Sequence, residues 1–156
     1  AQYDIRGLTD IQRAARYFLR MKLSFGADGS TYGCNCKNLK NSVEYLSDVQ
    51  HRLSAGSVVI EHKDFENLIK VYDRPAALFY CDPPYHSTEK YYSVTFGEAD
   101  HIRLRDTLAG IKGKFLLSYN DDDFIRSLYS GFKIETLERA NNLSSGKFKE
   151  LIITNY

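Results

Sequence analysis

Tryptophan is absent from the 156 residues, whereas tyrosine occurs twelve times. The aromatic surface is thus of the amphipathic kind that stacks and hydrogen-bonds at once. No apolar run approaches the ~20 residues of a membrane helix, which excludes that class of span. No secretory signal pattern opens the chain. Cysteine is scarce and odd in number: Cys34, Cys36 and Cys81. They read as reduced thiols of a cytoplasmic protein. No second Cys/His pair stands at ligand spacing, so no metal site is expected. Excess charge is also missing. The net value of +1 excludes a strong overall field for nucleic acid. Its distribution is uneven: residues 1–60 hold eight Lys/Arg against five Asp/Glu, and residues 61–156 hold thirteen against fifteen. The basic front half suits phosphate contact, but on charge alone a solvated helix face explains it better.

What is present has the length of one domain, or part of a larger one. Thr9 and Gln12 stand at capping-box spacing. Ile11, Ala14, Ala15, Phe18 and Leu19 then recur at helical period, which predicts a helix over about 10–22. Residues 24–38 are rich in Gly, Ser and Asn and read as a long irregular loop or hairpin. A second helix is expected, capped by Asn41 with Glu44 three residues on, and ended by Gly56. After Gly56 the period shortens. Ser57-Val58-Val59-Ile60 reads as a short buried strand, and Asp64 caps a helix to about Val71. Ala76 to Cys81 is another buried strand, followed by a polar, aromatic loop to about Phe96. A helix over about 98–110 carries Ile102 and Leu108. A strand over 115–119, a short helix from Asp121 to Tyr129, an alternating strand over 132–137 and a strand over 151–154 complete the order. Strands alternating with helices predict an α/β sheet, mostly parallel. In such a sheet the ligand crevice lies outside the carboxyl ends of the strands. Asp64, Asp82 with Tyr85, and Asn120 all follow strand ends.

Asp82-Pro83-Pro84-Tyr85 carries the chemistry. Two prolines fix their own φ angles and donate no N–H. Each also pushes the residue before it to extended geometry. The loop is therefore rigid, and its carbonyl oxygens remain acceptors. Asp82 adds a carboxylate and Tyr85 an aromatic wall. An exocyclic amino group on a flat ring suits such a pocket, and adenine N6 is one. The bland alternative is a turn with a buried tyrosine.

These residues, with Phe79-Tyr80-Cys81 before them and Tyr91, Tyr92 and Phe96 after, resemble the catalytic strand and loop of the Dam-type (D12 class) DNA adenine-N6 methyltransferases. Phe115 to Asn120 is similar to that family's next strand, and Glu150 to Tyr156 to its closing strand. His62-Lys63-Asp64-Phe65 resembles the stretch bordering the cofactor's adenine. Arg13 to Phe18, through Phe25-Gly26, resembles the opening of the target-recognition region. The resemblance implies a Rossmann-like methyltransferase fold dependent on S-adenosylmethionine, with a partial helical recognition region at 1–56 and a catalytic portion at 57–156. It implies a target adenine flipped from double-stranded DNA, because N6 cannot be reached in the stack. Asp82 and the Pro83 carbonyl would accept from N6, Pro84 would stiffen the loop, and Tyr85 would stack on the base. Asp64 and Phe65, with Asp82 at the shared boundary, would hold the cofactor. Tyr32, Lys37, Lys40, Lys90 and Tyr91 are the candidates for DNA contact. No metal is implied, since the leaving group is neutral.

The family's glycine-rich turn and the acidic strand end that follows it are not found here. Residues 1–10 contain only Gly7. In the family's sheet those strands lie between the expected strands at 57–61 and 76–81. A carboxyl-terminal portion of a bacterial or phage-encoded enzyme is therefore expected, completed by an amino-terminal half. Two other classes remain open: a non-catalytic DNA-binding remnant or subunit, and a methyltransferase for RNA or another amino group. The isolated chain should bind S-adenosylmethionine weakly or not at all, and micromolar affinity in calorimetry would contradict this.

Overall fold

The computed structural model describes residues 7–25, 29–31, 39–88, 96–140 and 147–156, with the side chains of 139, 140 and 147 outside that description. The chain divides into two compact units, Ala1–Ile60 and Glu61–Tyr156.

The first unit holds α1 (Asp10–Leu23) and α2 (Lys40–Ser54). The expected capping box starts α1: Thr9 Oγ1 accepts from the Gln12 amide, and Gln12 Oε1 accepts from the Thr9 amide. At its other end the buried Ser24 hydroxyl accepts from the Gly29 amide at 2.9 Å, and Arg20 donates to the Gly29 carbonyl. The second helix departs from expectation at its start. It begins at Lys40, so Asn41 is already inside the first turn and Leu39 caps without a side-chain bond. Gly56, at φ 73°, ends it as expected. No residue of α1 or α2 is buried.

The second unit runs α3 (Phe65–Tyr72), β1 (Leu78–Cys81), α4 (Glu98–Ala109), β2 (Lys114–Asn120), α5 (Asp123–Leu128), β3 (Lys133–Ala140) and β4 (Lys147–Thr154). The sheet order is β1-β2-β4-β3. Strands β1 and β2 pair in parallel, and β4 is antiparallel to both β2 and β3. The expectation of mostly parallel pairing is thus corrected: β1, β2 and β3 run one way, but β4 enters between β2 and β3 reversed. Only six residues separate β3 from β4, too few for the crossover that a parallel neighbour requires.

Ser57–Ile60 is the second correction. It forms no strand; Val59 and Ile60 are 71% and 82% exposed. A strand exists only by pairing, and among the described residues none pairs with it. Asp64 does cap α3, accepting from the Glu66 amide at 3.0 Å. Likewise Asp122 caps α5, which is shorter than expected.

The core follows strand alternation. Phe115, Leu117 and Tyr119 of β2 and Leu151 and Ile153 of β4 are fully buried, with Ile125 and Tyr129 beside them. Helix α3 contributes Ile69 and α4 contributes Leu104 and Leu108, so the buried face of α4 excludes Ile102. The turn into β2 is tight. The Asp73 carboxylate accepts from the Lys112 and Gly113 amides, and a Cβ on Gly113 would stand 2.8 Å from the Ala77 carbonyl oxygen. Gly113→Ala should therefore destabilise the unit by about 1–3 kcal/mol; urea denaturation measures this, and an unchanged midpoint would contradict it.

Candidate active site

The parallel pairing of β1 and β2 sets the site. Cys81 stands opposite Leu117, so the next residues along, Asp82 and Ser118, are neighbours at the strands' carboxyl ends. Ser118 Oγ donates to Asp82 Oδ1 at 2.9 Å. Pro83 and Pro84 follow, outside any helix or strand. Tyr85 then reaches across to β4, where its hydroxyl donates to Glu150 Oε1 at 2.6 Å. The loop closes in a turn in which the Thr88 amide and hydroxyl both bond the Tyr85 carbonyl, at 2.9 and 2.8 Å. Ser87 there has φ 67°, a left-handed position usually given to Gly or Asn.

His86 supplies a third anchor. Its carbonyl accepts from Asn120 Nδ2 at 3.2 Å, and its Nδ1 lies 3.0 Å from Asp122 Oδ1. Its ring packs on Phe124, with centroids 4.7 Å apart. Beneath it, fully buried His101 bonds the Tyr119 hydroxyl at 2.7 Å. The Tyr119 ring in turn lies 6.2 Å from that of Tyr85. Asp82, Tyr85 and His86 are thus each fixed by a side chain of the sheet or the strand end beside it.

Burial and the Glu150 carboxylate both raise the Tyr85 pKa, which keeps the phenol protonated as the donor. Burial pushes the Cys81 thiol up to about 11, so it is no thiolate near neutrality.

A cavity of about 420 Å³ borders the loop. Asp82, Pro83 and Pro84 form one side; Phe65, Leu68, Phe79, Phe96 and Leu104 give apolar walls, and Lys63 a charged edge. Phe65 thus lines the same cavity as Asp82. Asp64 does not line this cavity. Its carboxylate meets the Arg103 guanidinium in a fork at 2.9 and 3.0 Å. Arg103 also bonds Asp100 and Glu66, and stacks over the Phe65 ring at 4.1 Å. A larger hollow of about 620 Å³ between α3 and α4 touches none of the loop residues.

Tyr32, Lys37, Lys90 and Tyr91 lie outside the described residues. Lys40 is the exposed first residue of α2, in the other unit. Sequence reasoning missed Ser118, Glu150, His86, Asp122 and Arg103 as parts of the site. One signal for Glu150 was available: a carboxylate heading the apolar run Leu151-Ile152-Ile153.

A mixed α/β unit with a rigid, acceptor-lined loop at a strand's carboxyl end is consistent with a methyltransferase domain. The profile of the D12 class N6 adenine-specific DNA methyltransferases matches residues 6–143. The chain belongs to that family. It is 29% identical over 175 aligned positions to the Type II methyltransferase M1.LlaDCHI of Lactococcus lactis subsp. cremoris, covering 96% of this chain and 60% of that protein. It is 27% identical to the Type II methyltransferase M.CviBI of Paramecium bursaria Chlorella virus NC1A, covering 74% of this chain and 48% of that one. The chain thus spans about half to three-fifths of the length of these relatives. Among the described residues no group of His, Cys, Asp and Glu could hold a metal ion, and no helix is long and apolar enough to cross a membrane.

Arg103 also makes the attachment of α3 to α4 sensitive to acid. Its hydrogen bond to Asp64 holds that carboxyl below the usual range, and Lys70, then Arg103, do the same for Glu66. A depressed carboxyl pKa stabilises above the unfolded-state value, and that stability is lost as pH falls through the folded-state value. Arg103→Gln should therefore lower stability at neutral pH and shrink the loss on acidification. Urea denaturation at pH 7 and pH 3 measures both, and an equal gap to wild type at the two pH values would contradict the account.

Proposed function

We propose that the protein to which this chain belongs transfers a methyl group from S-adenosylmethionine to N6 of an adenine flipped out of double-stranded DNA. The observation that carries this reading is the fixed pairing of an acceptor with an aromatic platform. Asp82 is held by Ser118, and Tyr85, three residues later, by Glu150. Family membership supports the same chemistry.

The residues fit the cofactor in kind. The cavity beside Asp82 offers flat apolar walls at Phe65 and Phe96 with polar groups at its edges, as a purine ring requires. Phe65 would hold the cofactor's adenine by ring contact. Asp64 would act at one remove, by capping α3 and fixing Arg103 behind that ring. Asp82 would serve both cofactor and target. When bound, the cofactor supplies a methyl group made electrophilic by its sulfonium.

This chain's residues then position the nucleophile. The Asp82 carboxylate and the Pro83 carbonyl accept the two hydrogens of N6. This opposes delocalisation of the nitrogen lone pair into the ring and aims it. Pro84 keeps Pro83 extended, and Tyr85 stacks on the base. Methyl transfer would leave N6 with one surplus proton, which Asp82 is placed to take. Such positioning supplies much of the acceleration.

The DNA-contacting role of Tyr32, Lys37, Lys40, Lys90 and Tyr91 remains part of this proposal. So does completion by an amino-terminal half. Strand β1 is an edge of the described sheet, and its Leu78 and Tyr80 are 61% and 67% exposed. The outer backbone edge of β1 is open to pairing with a further strand. A restriction-modification role follows from the relatives' printed class.

Asp82→Ala in the full-length protein should cut methyl transfer to DNA adenine by roughly 100-fold or more, on the scale of losing one transition-state hydrogen bond. Asp82 is exposed, so the melting temperature should stay near wild type. Radiolabelled methyl incorporation read beside a thermal melt decides it, and retained incorporation would overturn the assignment.

A further inference from the structure

We propose that Glu150 is a positioning residue of the target-base pocket: its buried carboxylate, acting through the Tyr85 hydroxyl, fixes the plane on which a flipped purine stacks. The inference rests on the function proposed above and adds to it the group that sets the platform's geometry.

Glu150 is 4% exposed, at a position of β4 whose next neighbour, Leu151, belongs to the apolar core. A carboxylate there is costly unless it is hydrogen-bonded, and an apolar side chain would serve folding as well. Its bond reaches 65 positions back in sequence, to the hydroxyl of the tyrosine that ends the Asp-Pro-Pro-Tyr segment. A carboxylate is an acceptor only. It therefore orients the phenol hydrogen in one direction, and the bond is charge-assisted. Tyr85 is also held at its backbone end, where Thr88 closes the turn on its carbonyl. The hydroxyl end of the side chain and the backbone that carries it are thus both anchored.

The same two strands fix the acceptor. Ser118 of β2 donates to Asp82 Oδ1 at 2.9 Å. Asn120 of β2 is the direct cross-strand partner of Glu150, and its side chain bonds the His86 carbonyl. The distance between acceptor and platform is thus set by the register of β2 on β4. A loop alone would leave Tyr85 free to turn about its side-chain bonds.

The test uses the full-length protein with S-adenosylmethionine and adenine-unmethylated double-stranded DNA. Glu150→Leu and Tyr85→Phe should each lower kcat about tenfold or more with KM for DNA within about twofold. Glu150→Gln, whose amide oxygen accepts the same bond, should recover most of kcat. The double variant Tyr85→Phe, Glu150→Leu removes both polar partners, so its melting temperature should return toward wild type while kcat stays low. It carries the test if Glu150→Leu alone fails to fold. Recovery of kcat together with stability in the double variant would show a merely structural pair and overturn the proposal. So would wild-type kcat in Glu150→Leu. A wild-type enzyme that methylates no DNA adenine would overturn the functional reading itself, and this inference with it.

Discussion

The parallel register of β1 against β2 is the constraint from which the site follows. Cys81 opposite Leu117 puts Asp82 beside Ser118. Shifting that register by one residue would turn Phe115, Leu117 and Tyr119 out of the core, so the core enforces it. The acceptor's position is therefore set by the packing of residues that never touch a ligand. The same holds one strand further on, where Leu117 opposite Ile153 leaves Asn120 opposite Glu150. Each polar group of the pocket stands a residue or two beyond an apolar pair that fixes it.

Arg103 plays a comparable part on the other side of the loop. One guanidinium meets Asp64 at the start of α3 and Asp100 in the first turn of α4, and covers the Phe65 ring. Its fork suits a carboxylate, and its flat face suits an aromatic ring, as a lysine ammonium would not. The pocket wall at Phe65 is thereby tied to the helix that carries β1 over to β2. Exposed ion pairs contribute little to stability singly. This cluster matters through geometry, since it fixes a ring that lines the cavity beside the acceptor loop.

Much of this was legible in the sequence because the signals were local. The Thr9–Gln12 capping box, the Asp64 cap and the apolar strands expected at 76–81 and 115–119 each depend on a few adjacent residues, and each is found, the strands as Leu78–Cys81 and Lys114–Asn120. The Asp-Pro-Pro-Tyr loop was visible for the same reason. What escaped was non-local. Ser57–Ile60 has strand composition, yet composition cannot supply a pairing partner. The reversal of β4 follows from a link too short for a crossover, and Ser118, Glu150 and Arg103 matter because of residues 36, 65 and 39 positions away. Asp64 shows the intermediate case: its place in the chain was right, while its partner is a guanidinium on α4.

Cys81 closes β1 and lines the cavity beside Asp82. A methyl donor bound there would put an alkylating agent within reach of the strongest nucleophile class among the side chains. Burial keeps this sulfur as a thiol with its pKa near 11, and it is the thiolate that attacks. The apolar packing that holds the strand in register thus also quiets the one sulfur in the cavity wall.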